Sequence, residues 1–174
     1  MNKMRHKRLT GQRARILATV GMGLCAVLGA GCQNKITDAN IKNLTITELR
    51  LLWLEQQQKP NETLLLLIDP RRREAFEGAR LPGAVHITLP DLAQRTEKDA
   101  GMDAYRRIVV YADGPGSLTS RAMTKRLMVL GHKQTRLFGG GVVEWADAGF
   151  PIESGHPENE PPRPTQRDTR RPIP

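Results

Sequence analysis

An α/β fold, with a mainly parallel sheet covered by helices on both faces, is predicted by three features of the chain. Short apolar runs alternate with helix-length segments, the longest of those runs is apolar without interruption, and glycines close the helical stretches. A strand that reads as a continuous apolar run is one buried on both faces, which is the setting of a parallel sheet. The helices between strands supply the crossovers that parallel pairing requires.

Each element has its own signal. Thr45-Ile46-Thr47-Glu48 has capping-box spacing, and Ile46, Leu49, Leu52 and Trp53 recur on one helical face through about Gln58. Pro60-Asn61 breaks that helix. Residues 63–69 (TLLLLID) form the first buried strand, and a short helix follows around 72–77. Leu81-Pro82-Gly83-Ala84 leads into a second strand at 85–87, and 91–95 reads as another brief helix. Residues 107–112 (RIVVYA) are a third strand, 113–117 (DGPGS) a glycine-proline loop, and 118–130 a helix closed by Gly131. Residues 135–138 are a fourth strand, Gly139-Gly140-Gly141 a turn, and 142–148 a final helix ended by Gly149. Trp145 and Trp53 read as core anchors, and Arg71-Arg72-Arg73 as a solvated first helical turn.

The two ends differ from this middle. Residues 1–15 carry six basic and no acidic side chains, residues 16–30 are apolar or small throughout, and Gly31-Cys32 follows. A basic start, an apolar stretch and a small-residue exit form an export signal. Fifteen helical residues span about 22 Å, short of the ~30 Å hydrocarbon core, which argues against a permanent span. Leu28-Gly29-Ala30-Gly31-Cys32 resembles the lipobox of bacterial lipoproteins, with Gly29 departing from the branched residue that family prefers. The resemblance implies acylation of Cys32 and anchoring to a bacterial membrane. Gln33 after the cysteine resembles outer-membrane sorting, with the domain facing the periplasm. Ordinary cleavage to a soluble exported protein and an uncleaved anchor stand as the alternatives. The expected organisation is a signal over 1–31, a polar tether over 32–44, a domain over 45–153 and a proline-rich disordered tail over 154–174.

Removal of residues 1–31 takes the net charge from +9 to +3. That leaves little case for nucleic acid, since no basic stripe with interleaved aromatics accompanies it. The chain has two cysteines, Cys25 and Cys32, both inside or at the end of the export segment. The folded part therefore has no thiol nucleophile, no thiolate ligand and no disulfide of its own. The four histidines show no clustered metal-site spacing, and neither a metal nor a cofactor is expected.

Five segments in order resemble a rhodanese-like domain. Leu67-Ile68-Asp69-Pro70-Arg71 is similar to that family's strand-Asp-x-Arg opening. Residues 76–85, with Arg80-Leu81-Pro82-Gly83-Ala84-Val85, resemble its "GHIPGA" segment, Arg80 standing where His is usual. Arg107–Tyr111 matches the strand that delivers the active-site loop. Leu137-Phe138-Gly139-Gly140-Gly141 through Trp145 resembles "LxGGxxxW", and Ala148–Ile152 resembles the "aGlPv" ending. The resemblance implies a five-stranded, mainly parallel sheet flanked by helices on both faces. It also implies a persulfide-carrying cysteine straight after the third strand, held by backbone N–H groups and the following helix.

The corresponding position is Ala112, followed by Asp113, and the loop to Arg121 is a few residues longer than usual. Alanine has no nucleophile, and a carboxylate at 113 repels an entering anion. Sulfur transfer is therefore not expected. The degenerate loop (Ala112, Asp113, Gly114, Pro115, Gly116, Ser117, with Arg121) is expected to serve binding of a protein partner or a small anionic ligand. The alternative is a non-thiol hydrolase or transferase using the 113–121 loop, with Ser117 or Asp113 activated by His86. Against it, Ser117 or a neighbour reads equally as a helix cap, and no G-x-S-x-G is present.

Overall fold

The computed structural model of the protein describes residues 35–156. Residues 1–34, with the expected export signal and Cys32, and residues 157–174, most of the expected disordered tail, lie outside that range. Twelve elements follow in order: a 3-10 turn Asp38–Asn40, β1 Asn43–Leu44, α1 Ile46–Gln58, β2 Leu65–Asp69, α2 Arg73–Gly78, β3 Val85–His86, α3 Leu89–Ala93, α4 Ala100–Asp103, β4 Arg107–Val110, α5 Leu118–Val129, β5 Thr135–Phe138 and α6 Gly141–Asp147. All strand pairings are parallel, in the order β1-β5-β4-β2-β3.

Register follows from burial. Leu66, Ile68, Ile108 and Val110 face one layer with Leu92, Met102, Met123 and Leu127 of α3, α4 and α5. Leu65, Leu67, Val109 and Tyr111 face the other, against Leu49, Phe76 and Trp145 of α1, α2 and α6. Every residue of β2 is buried, as its unbroken apolar run requires. Trp145 is fully buried, donates from Nε1 to the Pro151 carbonyl at 2.8 Å, and meets Trp53 edge-on at 5.9 Å between centroids.

The α1 capping box forms as its spacing predicts: Thr45 Oγ1 accepts from Glu48 N, and the Glu48 carboxylate accepts from Thr45 N at 2.8 Å. Two boundaries and one missed element need correction. The tether expected over 32–44 is partly domain, because Asn43 and Leu44 pair with Leu137 and Phe138, and Ile41 is buried. Asp38 also takes an ion pair from Lys125 of α5 at 2.6 Å. At the other end, Glu153 bridges Arg80 and Gly155 N donates to the Glu77 carbonyl, so ordered packing runs past residue 153. α4, absent from the sequence reading, is a single turn capped by the Asp99 side chain on Met102 N.

Candidate functional site

In a parallel sheet the loops after the strand carboxyl ends lie along one edge, where ligands are usually bound. Here that edge carries Asp69 at the end of β2, His86 at the end of β3, residues 111–117 after β4 and the glycine turn after β5. Asp69 is fully buried and Arg71 is 8% exposed. The Arg71 Nε and Nη2 fork grips the Asp69 carboxylate at 2.7–3.1 Å, and Nη2 also donates to the Ala79 carbonyl. Arg71 Nη1 faces outward and donates to Asp113 Oδ1 at 2.8 Å. Burial would lower the Arg71 pKa, but its bonds to Asp69 and Asp113 outweigh that and raise it above the ordinary guanidinium value. The solvated reading of Arg71-Arg72-Arg73 is thus corrected at its first member. Only Arg72 is exposed, while Arg73 is half-buried and bonded to Glu77.

Tyr111 carries the wall of the site. Its ring is fully buried, and its hydroxyl accepts from Leu81 N at 3.2 Å. Burial first, and then the charge of Asp69, pushes its pKa well above the usual phenol range. Ala112 follows, 2% exposed. The carbonyls of Ala112 and Asp113 accept from Val142 N and Val143 N at 2.9 and 3.0 Å, so the first-turn donors of α6 close on the loop itself. Gly141 allows that approach. Its φ is +63°, and a β-carbon there would lie 2.3 Å from the Ala112 carbonyl oxygen.

Beyond Asp113 the loop is open to solvent at Pro115 and Gly116, with Gly116 at φ +83°. Ser117 caps α5, its Oγ accepting from Ser120 N at 3.4 Å. Arg121, expected near an anion at the loop, instead turns toward Asp38, 3.8 Å away. His86 is engaged on both ring nitrogens: Nε2 donates to the Arg71 carbonyl at 2.7 Å, and Nδ1 accepts from Arg73 Nη2 at 3.2 Å. Among the described residues, no group of three His, Cys, Asp or Glu side chains is placed to hold a metal ion.

The sequence already displayed Asp69-x-Arg71, but the partner 42 residues away was not visible in it. The structure joins Ala112, Asp113 and Ser117 on one loop and leaves Arg121 and His86 turned elsewhere.

The family model for the rhodanese-like domain matches residues 51–148, more than half of the chain. The protein belongs to the rhodanese-like domain family. Its fold is similar to that of a thiosulfate sulfurtransferase from Pseudomonas aeruginosa, with a TM-score of 0.51 at 19% identity over 68% of this chain and 21% of that one. A human single-domain sulfurtransferase is similar at a TM-score of 0.45 and 24% identity, over 60% of this chain and 95% of that one. Among curated proteins, an HTH-type transcriptional regulator of Mycobacterium tuberculosis is 31% identical over 91 residues, 52% of this chain. Human dual specificity protein phosphatase 9 is 46% identical over 44 residues, 25% of this chain. The matches span 38% and 12% of the lengths of those two relatives.

Proposed function

We propose that this rhodanese-like domain is a non-catalytic binding module of the bacterial envelope, tethered through an acylated Cys32 and recognising a protein partner with its 113–117 loop. The observation that carries the reading is the ion pair of Asp113 with Arg71 at the end of β4, beside Ala112. A persulfide mechanism needs a sulfur nucleophile at the strand end and an electropositive cradle around it. The family resemblance puts Ala112 at the nucleophile position, and residues 33–174 contain no cysteine. Asp113 has a side chain 74% exposed and supplies negative charge where an anion would enter.

The same pair favours a protein partner over a small anion. The outward donor of Arg71 is taken by Asp113, and Arg121 is drawn toward Asp38. What the loop presents outward is Pro115, Gly116 and Leu118, the last 81% exposed, beside Val143 at 53%. The hydrolase or transferase alternative needs a base on Ser117, and both nitrogens of His86 are committed to Arg71 and Arg73.

The test is turnover by the purified mature chain, with thiosulfate as sulfur donor and cyanide as acceptor, and with ester and phosphoester substrates in parallel. No turnover above buffer is expected. Saturable thiocyanate formation would overturn the non-catalytic reading. Hydrolysis lost in Ser117→Ala would replace it with the serine alternative.

A further inference from the structure

Outside the loop, a buried histidine has no role in the site: His132, fully buried between α5 and β5. Its backbone is fixed by three bonds, from its N–H to the Leu127 carbonyl and from Thr135 N and Oγ1 to its own carbonyl. Its ring reaches across to the segment before α4, where Nε2 accepts from Asp99 N at 3.3 Å. A nitrogen that accepts carries no proton, so the neutral ring holds its proton on Nδ1. Nδ1 is buried and has no hydrogen-bond partner among the described residues.

That arrangement holds one protonation state only. A second proton must go onto Nε2, which then faces the Asp99 N–H as donor against donor. The bond to Asp99 is lost and two charged-form donors are left buried. The charged groups facing the ring are Lys98, Asp103, Asp99 and Arg95, all on the 95–103 segment. Lys98 is paired with Asp103 and Arg95 with Asp99. Asp103 and Asp99 favour the imidazolium, Lys98 and Arg95 oppose it, and forming it gives up the contact with the Asp99 N–H that ties the ring to this segment.

An open groove of about 430 Å³ runs along Gln94–Ala100. The segment's start is held independently, because the Arg126 guanidinium donates to the carbonyls of Leu92, Ala93 and Arg95. Beyond residue 95 the ties are the His132 contact, the cap that Asp99 places on Met102 N, the ion pairs Arg95–Asp99 and Lys98–Asp103, a bond from Gln134 to Asp103, and the packing of Met102.

We propose that His132 is an acid-sensitive latch: its protonation releases residues 96–103, including α4, and uncovers the core layer that Met102 seals. Burial first, and then Lys98, lower the His132 pKa below the ordinary imidazole value. The sign follows. A group depressed in the closed form binds its proton more readily in the open form, so closure is complete above the open-form pKa of about 6.5 and weakens as pH falls below it.

Residue-resolved amide exchange of the full chain, corrected for intrinsic rates, tests this between pH 7.5 and 5.5. Protection of Asp99–Asp103 is expected to fall about tenfold for each pH unit of linkage. Amides of Leu92–Arg95, fixed by Arg126, and of α1 should stay unchanged. In His132→Gln, whose side-chain carbonyl can still accept from Asp99 N, the pH dependence should vanish. Flat protection in the native chain would overturn the proposal, as would the same fall in His132→Gln, which would assign it to Asp99 and Asp103. Loss of protection throughout the domain together would also overturn it. The His132 ring titration in the native chain is a second check: an ordinary or raised pKa contradicts the latch even where the variant fails to fold.

Discussion

The exposed carboxylate of Asp113 and the buried guanidinium of Arg71 are joined at 2.8 Å, and through Arg71 the loop after β4 is tied to Asp69 at the end of β2. One arginine thus fixes the geometry of two adjacent strand ends. Its charge is shared between an obligatory partner inside and an optional one outside.

The two ends of that relay should differ sharply on mutation. Arg71→Met leaves the Asp69 carboxylate buried without its partner, a change that costs about 3–5 kcal/mol. Asp113→Asn removes a solvated partner and should cost less than about 1 kcal/mol. Urea unfolding of the two variants checks this, and similar losses would mean that the outer ion pair is structural.

Gly141 should tolerate no side chain. Gly141→Ala places a β-carbon 2.3 Å from the Ala112 carbonyl oxygen at a positive φ, and the expected loss is about 3 kcal/mol with displacement of the 112–113 backbone. Gly149→Ala has a positive φ but nothing within 4 Å, so strain alone should cost about 1 kcal/mol. Thermal melts of both variants separate the clash from the strain.

The domain should need residues ahead of α1. A chain beginning at residue 45 loses β1 and the buried Ile41, and should be about 3 kcal/mol less stable than one beginning at residue 35. Equal stability in denaturant titrations would return residues 35–44 to the status of a tether.

Acylation has its own test. Labelled fatty acid should enter the native protein in bacterial cells and fail to enter Cys32→Ser. Two buried chains hold a protein on a bilayer, so the variant should also leave the membrane fraction. Equal labelling of both proteins would refute the assignment.

What could be read from the sequence was local. The Thr45–Glu48 box needs only a spacing of three residues, and the all-buried β2 needs only its run of leucines. β1 was missed because two residues, Asn43 and Leu44, carry no period, and their strand character comes entirely from β5, more than 90 positions later. α4 was missed because Ala100–Asp103 is one turn containing a glycine, held by the Asp99 cap. At the site, Ala112 and Asp113 could be placed by the order of matched segments. The charge state of the edge could not. Three adjacent arginines look alike in sequence, and only the fold separates Arg71 from its neighbours by burying it against Asp69.

Loop-dependent recognition is the central claim, and in-cell crosslinking tests it most directly. The native protein would be compared with a variant carrying a glycine-serine linker in place of residues 113–117, and with Leu118→Glu at an exposed position. Cooperative unfolding of each purified variant would show that the domain is intact. A crosslinked partner present with the native protein and absent with both variants is the predicted result. The same partners captured by all three proteins, or none by any, would contradict a recognition role for the loop.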